Sequence, residues 1–489
     1  MNLEIIYKNI MMEEGENLNN SHRRQKIIVV GGGPAGVQAA LRAQELGAEV
    51  TILESNKLGG TAFNEGPAPV RTLARAARLR SDAKLYSQFG LEGNLPKVNF
   101  GEAIASANRV AAHANEVWHL TSIVKEQGIT VIDEVGPAHF VNRNTVEISD
   151  GRQFTGDKII LAVGGKPRKL SIPGNELALS FHDLWQMKEL PKRVTVVGGS
   201  ATGCQLASIL IDFGAEVNIV EFADRLSPPS DKDISRRLEA AFLKRGMNVL
   251  TETGCDSIEK ENGKLKVSFT KNGQRDALET DAVFLMVGWP ANVSGLKLEV
   301  AGVEMNGPYI KIDEYLQTNV PEILVAGDAN GVSMFVQSAA HQARVAAENA
   351  VMGAKRIYNP QAIATGSFTE PEYGSVGMTE DQAKIDHDCI IETVDYTGLP
   401  RAVMDGRTDG FCKLIVDRKS KLLLGVHVLG SYSAEVIQVA ATCIVAKMQI
   451  HEIAELELAF PTFTEAIGMT AQRISKKLRL LEKENKSIL

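Results

Sequence analysis

Cysteine is scarce in this chain. Five occur in 489 residues, at Cys204, Cys255, Cys389, Cys412 and Cys443, and no two stand in C-x-x-C spacing. That excludes a disulfide scaffold and a cysteine-ligated zinc site, and it fits a reducing cytoplasm. A basic excess is lacking too. The 53 Lys and Arg stand against 60 Asp and Glu, a net charge of -7, which argues against nucleic acid as a main partner. No apolar run reaches the ~18 residues that a membrane-spanning helix requires, so no stable membrane insertion is expected. Residues 1–24 carry Glu13, Glu14 and Glu16 and no apolar core, and they read as a flexible N-terminal extension, not a signal peptide. What remains is the composition of a soluble globular protein, 44% apolar and 23% charged, long enough for two to four domains.

The most informative stretch is Ile27-Ile28-Val29-Val30-Gly31-Gly32-Gly33-Pro34-Ala35-Gly36. A β-branched run enters a glycine turn, and a helical stretch with Ala39, Ala40 and Leu41 leaves it. A second strand, Val50-Thr51-Ile52-Leu53, ends at Glu54. This is G-x-G-x-x-G between strand and helix with an acid about 20 residues on, the setting in which it binds a dinucleotide. Gly31 allows the tight turn, and Gly33 admits the pyrophosphate to the positive end of the helix that Pro34, Ala35 and Gly36 open. Glu54 is the expected ribose acceptor.

The pattern recurs. Val194-Thr195-Val196-Val197-Gly198-Gly199-Ser200-Ala201-Thr202-Gly203 is a second strand and turn, and Val217-Asn218-Ile219-Val220-Glu221 its second strand. Gly31 to Glu54 and Gly198 to Glu221 are both 23 residues. The duplication implies two nucleotide sites. Ser200 replaces the middle glycine, and its hydroxyl is an extra donor. Glu221 favours a ribose 2′-OH over a 2′-phosphate, hence NADH over NADPH, although Arg225 nearby leaves NADPH open.

Between the two turns lies Lys57-Leu58-Gly59-Gly60-Thr61-Ala62-Phe63-Asn64-Glu65-Gly66-Pro67-Ala68-Pro69-Val70-Arg71. It resembles the G-G-T-C-x-N-x-G-C-x-P stretch of the pyridine nucleotide–disulfide oxidoreductases, of dihydrolipoamide dehydrogenase and mercuric reductase type. The resemblance runs from about residue 25 to 472. It implies an α/β fold with two Rossmann-like domains, for FAD and NAD(P), and a C-terminal α+β dimerisation domain. It places an extension at 1–24, the FAD domain at 25–165 and 295–360, the NAD(P) domain at 166–294, the interface domain at 365–475 and a solvated helical tail at 476–489. Gly60, Thr61, Gly164 and Asp328 then belong to the FAD site, with Asp328 on the ribityl chain. Gly198, Ser200, Ala201, Gly203, Glu221 and Gly288 belong to the NAD(P) site. A homodimer is expected.

The departures from that family are chemical. Its two redox cysteines correspond to Ala62 and Pro67, neither of which can carry electrons. Its flavin-edge lysine corresponds to Arg71, an electrostatic group that cannot titrate. The glutamate partner of that lysine becomes Gln205, which predicts one uncompensated positive charge at the flavin edge. The bulky gate over the nicotinamide side becomes Ala201. In Ala459-Phe460-Pro461-Thr462-Phe463-Thr464-Glu465, the family's H-P-T-x-x-E has Phe460 in place of histidine and keeps Glu465. Trp289 stands where the family usually has arginine.

Elsewhere the apolar period predicts one helix over 97–127, with Ile104, Val110, Ala111, Val117, Leu120 and Ile123 on its inner face. His113 and His119 read as surface or packing residues, His341 as packing near the flavin, and no metal site is expected. The reading is an FAD-dependent NAD(P)H oxidoreductase passing hydride from NADH to FAD and then to a quinone-like or other small acceptor. A soluble transhydrogenase and a non-catalytic flavoprotein sensor or scaffold are the alternatives.

Overall fold

The strand Lys26–Val30 becomes the centre of a five-stranded parallel sheet, in the order Ile323–Val325, Lys158–Leu161, Lys26–Val30, Glu49–Leu53, Thr130–Ile132. The computed structural model describes residues 23–117 and 120–488. The expected N-terminal extension therefore lies almost wholly outside the described residues, as does His119. Pro34–Glu45 and Val336–Met352 cover one face of the sheet, over Ile27 and Val29, while Phe140, Val146 and Ile148 cover the other, over Ile28 and Val30, which is why Ile27 to Val30 are apolar without alternation. The chain winds outward from the central strand in one direction, then returns on its other side. A crevice opens where the winding reverses, at the carboxyl ends of Lys26–Val30 and Lys158–Leu161.

The second unit repeats this with four parallel strands, Asn248–Leu250, Glu216–Val220, Arg193–Val197 and Ala282–Leu285. Its three-stranded meander, Thr253–Glu261, Lys264–Lys271 and Gln274–Thr280, turns at Asn262-Gly263 and Asn272-Gly273. Both asparagines have φ +51°, as a two-residue hairpin turn of this hand requires.

The last third forms a five-stranded antiparallel sheet, Thr365–Ser367, Tyr373–Gly377, Leu423–Leu429, Phe411–Asp417, Cys389–Asp395. Ser433–Val445, Ile450–Ala454 and Glu465–Ile488 pack on it. The basic segment predicted as a tail continues the last of these helices, and Leu478 is buried while Leu480 is exposed. Lys413, in the middle of the sheet, is buried with Asp231 and Asp233 of the second unit at 2.8 Å each and Glu380 at 2.6 Å. Burial pushes its ammonium down, but the three carboxylates more than reverse this.

Of the helix predicted over 97–127, Phe100–Val117 and Leu120–Glu126 are helical, and the two residues between them lie outside the described residues. Ile104 and Ala111 are buried as expected, but Val110 and Ile123 are exposed, with Ala107 and Val124 buried in their place. Which apolar residues face inward is set by the elements packed against the helix, not by the apolar period alone.

Candidate active site

The two glycine turns rest on matching contacts. Gly31 has φ +105°, and a Cβ on it would lie 2.3 Å from the Ala162 carbonyl oxygen. Gly198 has φ +105°, and its Cβ would lie 2.3 Å from the Met286 carbonyl oxygen. Only glycine fits either place. The Gly32 amide donates to Glu54 Oε2 at 2.5 Å, and the Gly199 amide to Glu221 Oε2 at 2.5 Å. The other oxygen of each acid accepts an amide two residues on, from Asn56 at 2.8 Å and Ala223 at 2.7 Å. Each acid thus closes its own turn and keeps lone pairs for a ribose. The turn-closing role was not anticipated from sequence.

The middle position of the second turn shows why serine is admitted there. Ser200 has φ −74° and ψ −177°, open to any residue. At the equivalent Gly33 a Cβ would only brush the Gly60 Cα at 3.8 Å. Gly36 and Gly203 are different. A Cβ on either would strike the carbonyl oxygen of Gly31 or Gly198, so these glycines let helix and strand approach.

A single cavity of ≈ 3280 Å³ joins the two turns. Pro34, Ala35, Gly60, Thr61, Gly164 and Asp328 line it at the first turn. Ser200, Ala201, Gln205, Glu221 and Gly288 line it at the second. Gly60 docks on Gly33, since its Cβ would lie 2.8 Å from the Gly33 Cα, and the Gly59 amide donates to Gly32 O at 2.8 Å. Asp328 is sunk in the wall. Burial pushes its carboxyl up, and the Trp289 indole N–H, bonded to it, acts in the opposite sense. An acceptor in that position suits the hydroxyls of a ribityl chain. The first crevice fits FAD and the second NAD(P)H: each offers a glycine turn at a helix start, an acid for a ribose and room between them.

The flanks of the flavin position are unusual. Ala62 and Pro67 both face the cavity. Among the described residues Cys255 is the only cysteine on its wall, beside Gly254 and Phe222 at the Glu221 end, with its thiol pushed up to about 11 by burial. Cys204 is buried, gives its S–H to Gly199 O at 3.0 Å and is pushed up further still, so it is inert.

Arg71 departs from expectation. It does not line the cavity. Its guanidinium lies 3.7 Å over the Phe368 ring, 3.7 Å from Glu372 and 3.4 Å from Glu435. The uncompensated charge predicted at the flavin edge is therefore absent, because two carboxylates from the interface domain meet it. Gln205 accepts from the Phe368 amide at 3.1 Å. Arg71 and Gln205 converge on Phe368 and not on each other. Phe460 is 69% exposed in the single chain, on a cis Phe460–Pro461 bond. Glu465 starts the last helix, and its Oε2 is buried with no hydrogen-bond partner among the described residues.

Two further cavity residues escaped the sequence reading. Glu65 and His182 are hydrogen bonded, Oε2 to Nδ1, though 117 residues apart. His341 lines the cavity as well and stacks edgewise on Tyr358 at 5.3 Å. Burial, then Arg356 and Arg344, hold its imidazole below the usual range. His113 is exposed beside Glu116. Among the described residues no group of three metal-ligating side chains occurs.

Comparison with known proteins decides the affiliation. The family model for pyridine nucleotide-disulphide oxidoreductases matches residues 25–343, and its dimerisation domain matches 363–471. The chain belongs to this family. It is 30% identical to the dihydrolipoyl dehydrogenase of Bacillus subtilis (strain 168) over 462 residues, 91% of this chain and 97% of that one. It is 27% identical to the mercuric reductase of Lysinibacillus sphaericus, covering 96% and 86%. Among solved structures, the HOCl-induced flavoprotein disulfide reductase RclA from Escherichia coli superposes with a TM-score of 0.81 at 25% identity, over 91% of this chain and 99% of that one. LpdA from Mycobacterium tuberculosis superposes with a TM-score of 0.83 at 24% identity, over 92% and 99%, and shares the fold. As in the rest of the family, the cofactors are FAD and NAD(P)H, and the α/β architecture with its C-terminal dimerisation domain is the family's own. No described helix is long and apolar enough to cross a membrane.

Proposed function

We propose that this family member oxidises NADH through FAD and reduces a flat, weakly polar acceptor of quinone type directly, with no sulfur between. The observation that carries this reading is the cavity wall at Ala62 and Pro67, where a thiol relay would need two sulfurs and finds none. Phe460 extends the same logic. In a homodimer built on the 363–471 domain, its exposed ring adds apolar surface to the site of the other subunit, and the stranded Glu465 oxygen has no imidazole to orient. Bound FAD supplies the step from hydride donor to acceptor. The protein's own part is to hold both nucleotides against one cavity, to leave the nicotinamide approach open at Ala201, and to present apolar walls to the acceptor.

NADH is the preferred donor. Arg225 does not line the cavity. Its Nη1 is 3.1 Å from Asp224 and its Nη2 donates to Pro228 O at 3.0 Å, so it is engaged away from Glu221. A 2′-phosphate would meet Glu221 and gain no cation there. The transhydrogenase reading needs NADPH as well and is weakened by the same contacts.

An acceptor panel on the purified yellow homodimer tests this. With NADH, quinone reduction should far exceed that of lipoamide or oxidised glutathione, which should not rise above a free-flavin blank. NADH should exceed NADPH in kcat/KM by about tenfold or more, of the order that one repelled charge or lost hydrogen bond gives. Lipoamide-dependent turnover overturns the reading.

A further inference from the structure

The turn that lost its sulfurs carries a titratable group that the proposed electron path does not use. Glu65 stands between Ala62 and Pro67, just past the short helix Gly60–Asn64. Its Oε2 is bonded to Nδ1 of His182, which lies on the turn Phe181–Gln186 leading into the second unit. Both side chains line the cavity and both are partly open to it, at 39% and 40% exposure. The imidazole centroid is 6.4 Å from the Trp289 ring, and that indole donates to Asp328. The Trp289 ring is itself wedged on Gly165, where a Cβ would come within 2.1 Å of it. The imidazole is thus one ring removed from the carboxylate that fits the ribityl chain. With Nδ1 committed to Glu65, Nε2 has no partner among the described residues.

We propose that Glu65 and His182 form a proton-donating couple for the electron acceptor, with Glu65 holding the imidazolium and His182 Nε2 delivering the proton. The proposal rests on the acceptor reading above. A quinone that takes a hydride gains two electrons and one proton and becomes a hydroquinone monoanion. The second proton passes from Nε2 to the phenolate oxygen, forming the O–H bond and leaving neutral imidazole. Solvent, which reaches the half-exposed ring, reprotonates it. The family histidine replaced by Phe460 would be reached from the other subunit; this one comes from the same chain, on a different element.

The surrounding charges favour the protonated ring. The hydrogen bond from Glu65 raises the His182 pKa, burial opposes it, and the fields of Glu65 and Asp183 add to the rise. Asp183 itself is turned back, accepting from the Ser180 amide at 2.6 Å and Oγ at 2.7 Å, and Asp328 sits behind Trp289. The acid form is present below the raised value and lost as pH climbs through it.

The test compares wild-type, H182Q and E65Q holoenzymes with NADH and two acceptors, a benzoquinone that needs protons and ferricyanide that needs none. The ratio of quinone to ferricyanide rate should fall about tenfold or more in H182Q, the low side of what a positioned acid contributes. In E65Q the alkaline fall of the quinone rate should move to lower pH. Imidazole NMR of the FAD-loaded protein should place the His182 titration above its ordinary value of about 6.5, and E65Q should bring it down. Equal losses with both acceptors, or a wild-type titration at or below the ordinary value, overturn the couple alone. A wild-type enzyme that reduces ferricyanide but no quinone overturns the acceptor reading and the couple with it.

Discussion

Glu221 is asked to do two jobs with one buried carboxylate, and that makes it the most direct residue to test. It locks the Gly199 and Ala223 amides, and in the proposed function it is the acid that meets the NADH ribose. Glu221→Ala should raise KM for NADH by about tenfold or more, since hydrogen bonds to a charged group are worth about 1.5–3 kcal/mol. It should also narrow the gap between NADH and NADPH; steady-state kinetics with both donors checks this. At the same scale, Ala62, Pro67 and Phe460 were legible because each is a single identity inside a fixed frame. Arg71 was not. Its neutralisation depends on Glu372 and Glu435, which only the folded interface domain brings within reach. The Glu65–His182 contact was hidden for the same reason.

Among the elements, the two strand–turn–helix units were readable because their chemistry is local. A β-branched strand, a glycine at φ +105° and an acid 23 residues later carry their own explanation. They also separate the two nucleotide functions. Gly31→Ala should be purified colourless, because its Cβ would collide with the Ala162 carbonyl in the FAD turn. Gly198→Ala should remain yellow but resist bleaching by NADH while dithionite still bleaches it. Visible absorbance near the flavin band reads both, and a yellow Gly31→Ala protein would contradict the assignment of the turns. Over 97–127 periodicity marked the helical stretch but not its buried face, where Ala107 and Val124 are buried and Val110 and Ile123 are exposed. The Asn-Gly hairpins of the second unit are local in the same way, each setting a residue tolerant of positive φ beside a glycine.

For the molecule as a whole, Lys413 makes a buried link between the second unit and the interface domain. Asp231, Asp233, Glu380 and Lys413 are scattered in sequence, so their convergence could not be read from it. Lys413→Met leaves Asp231 buried without its cation and should cost about 3–5 kcal/mol, read as a lowered denaturation midpoint. Asp231 also sets a direction for pH. Burial raises its carboxyl, but His427 and Lys413 outweigh burial and hold it below the ordinary range. Its contribution is therefore complete at neutral pH and lost on acidification through that lowered value.

The central claim is that the flavin is the only redox store in each subunit. Anaerobic titration of the oxidised holoenzyme with dithionite counts that store. The account predicts complete reduction with two electrons per FAD. Uptake of four, the sum of a flavin and a disulfide, would contradict it.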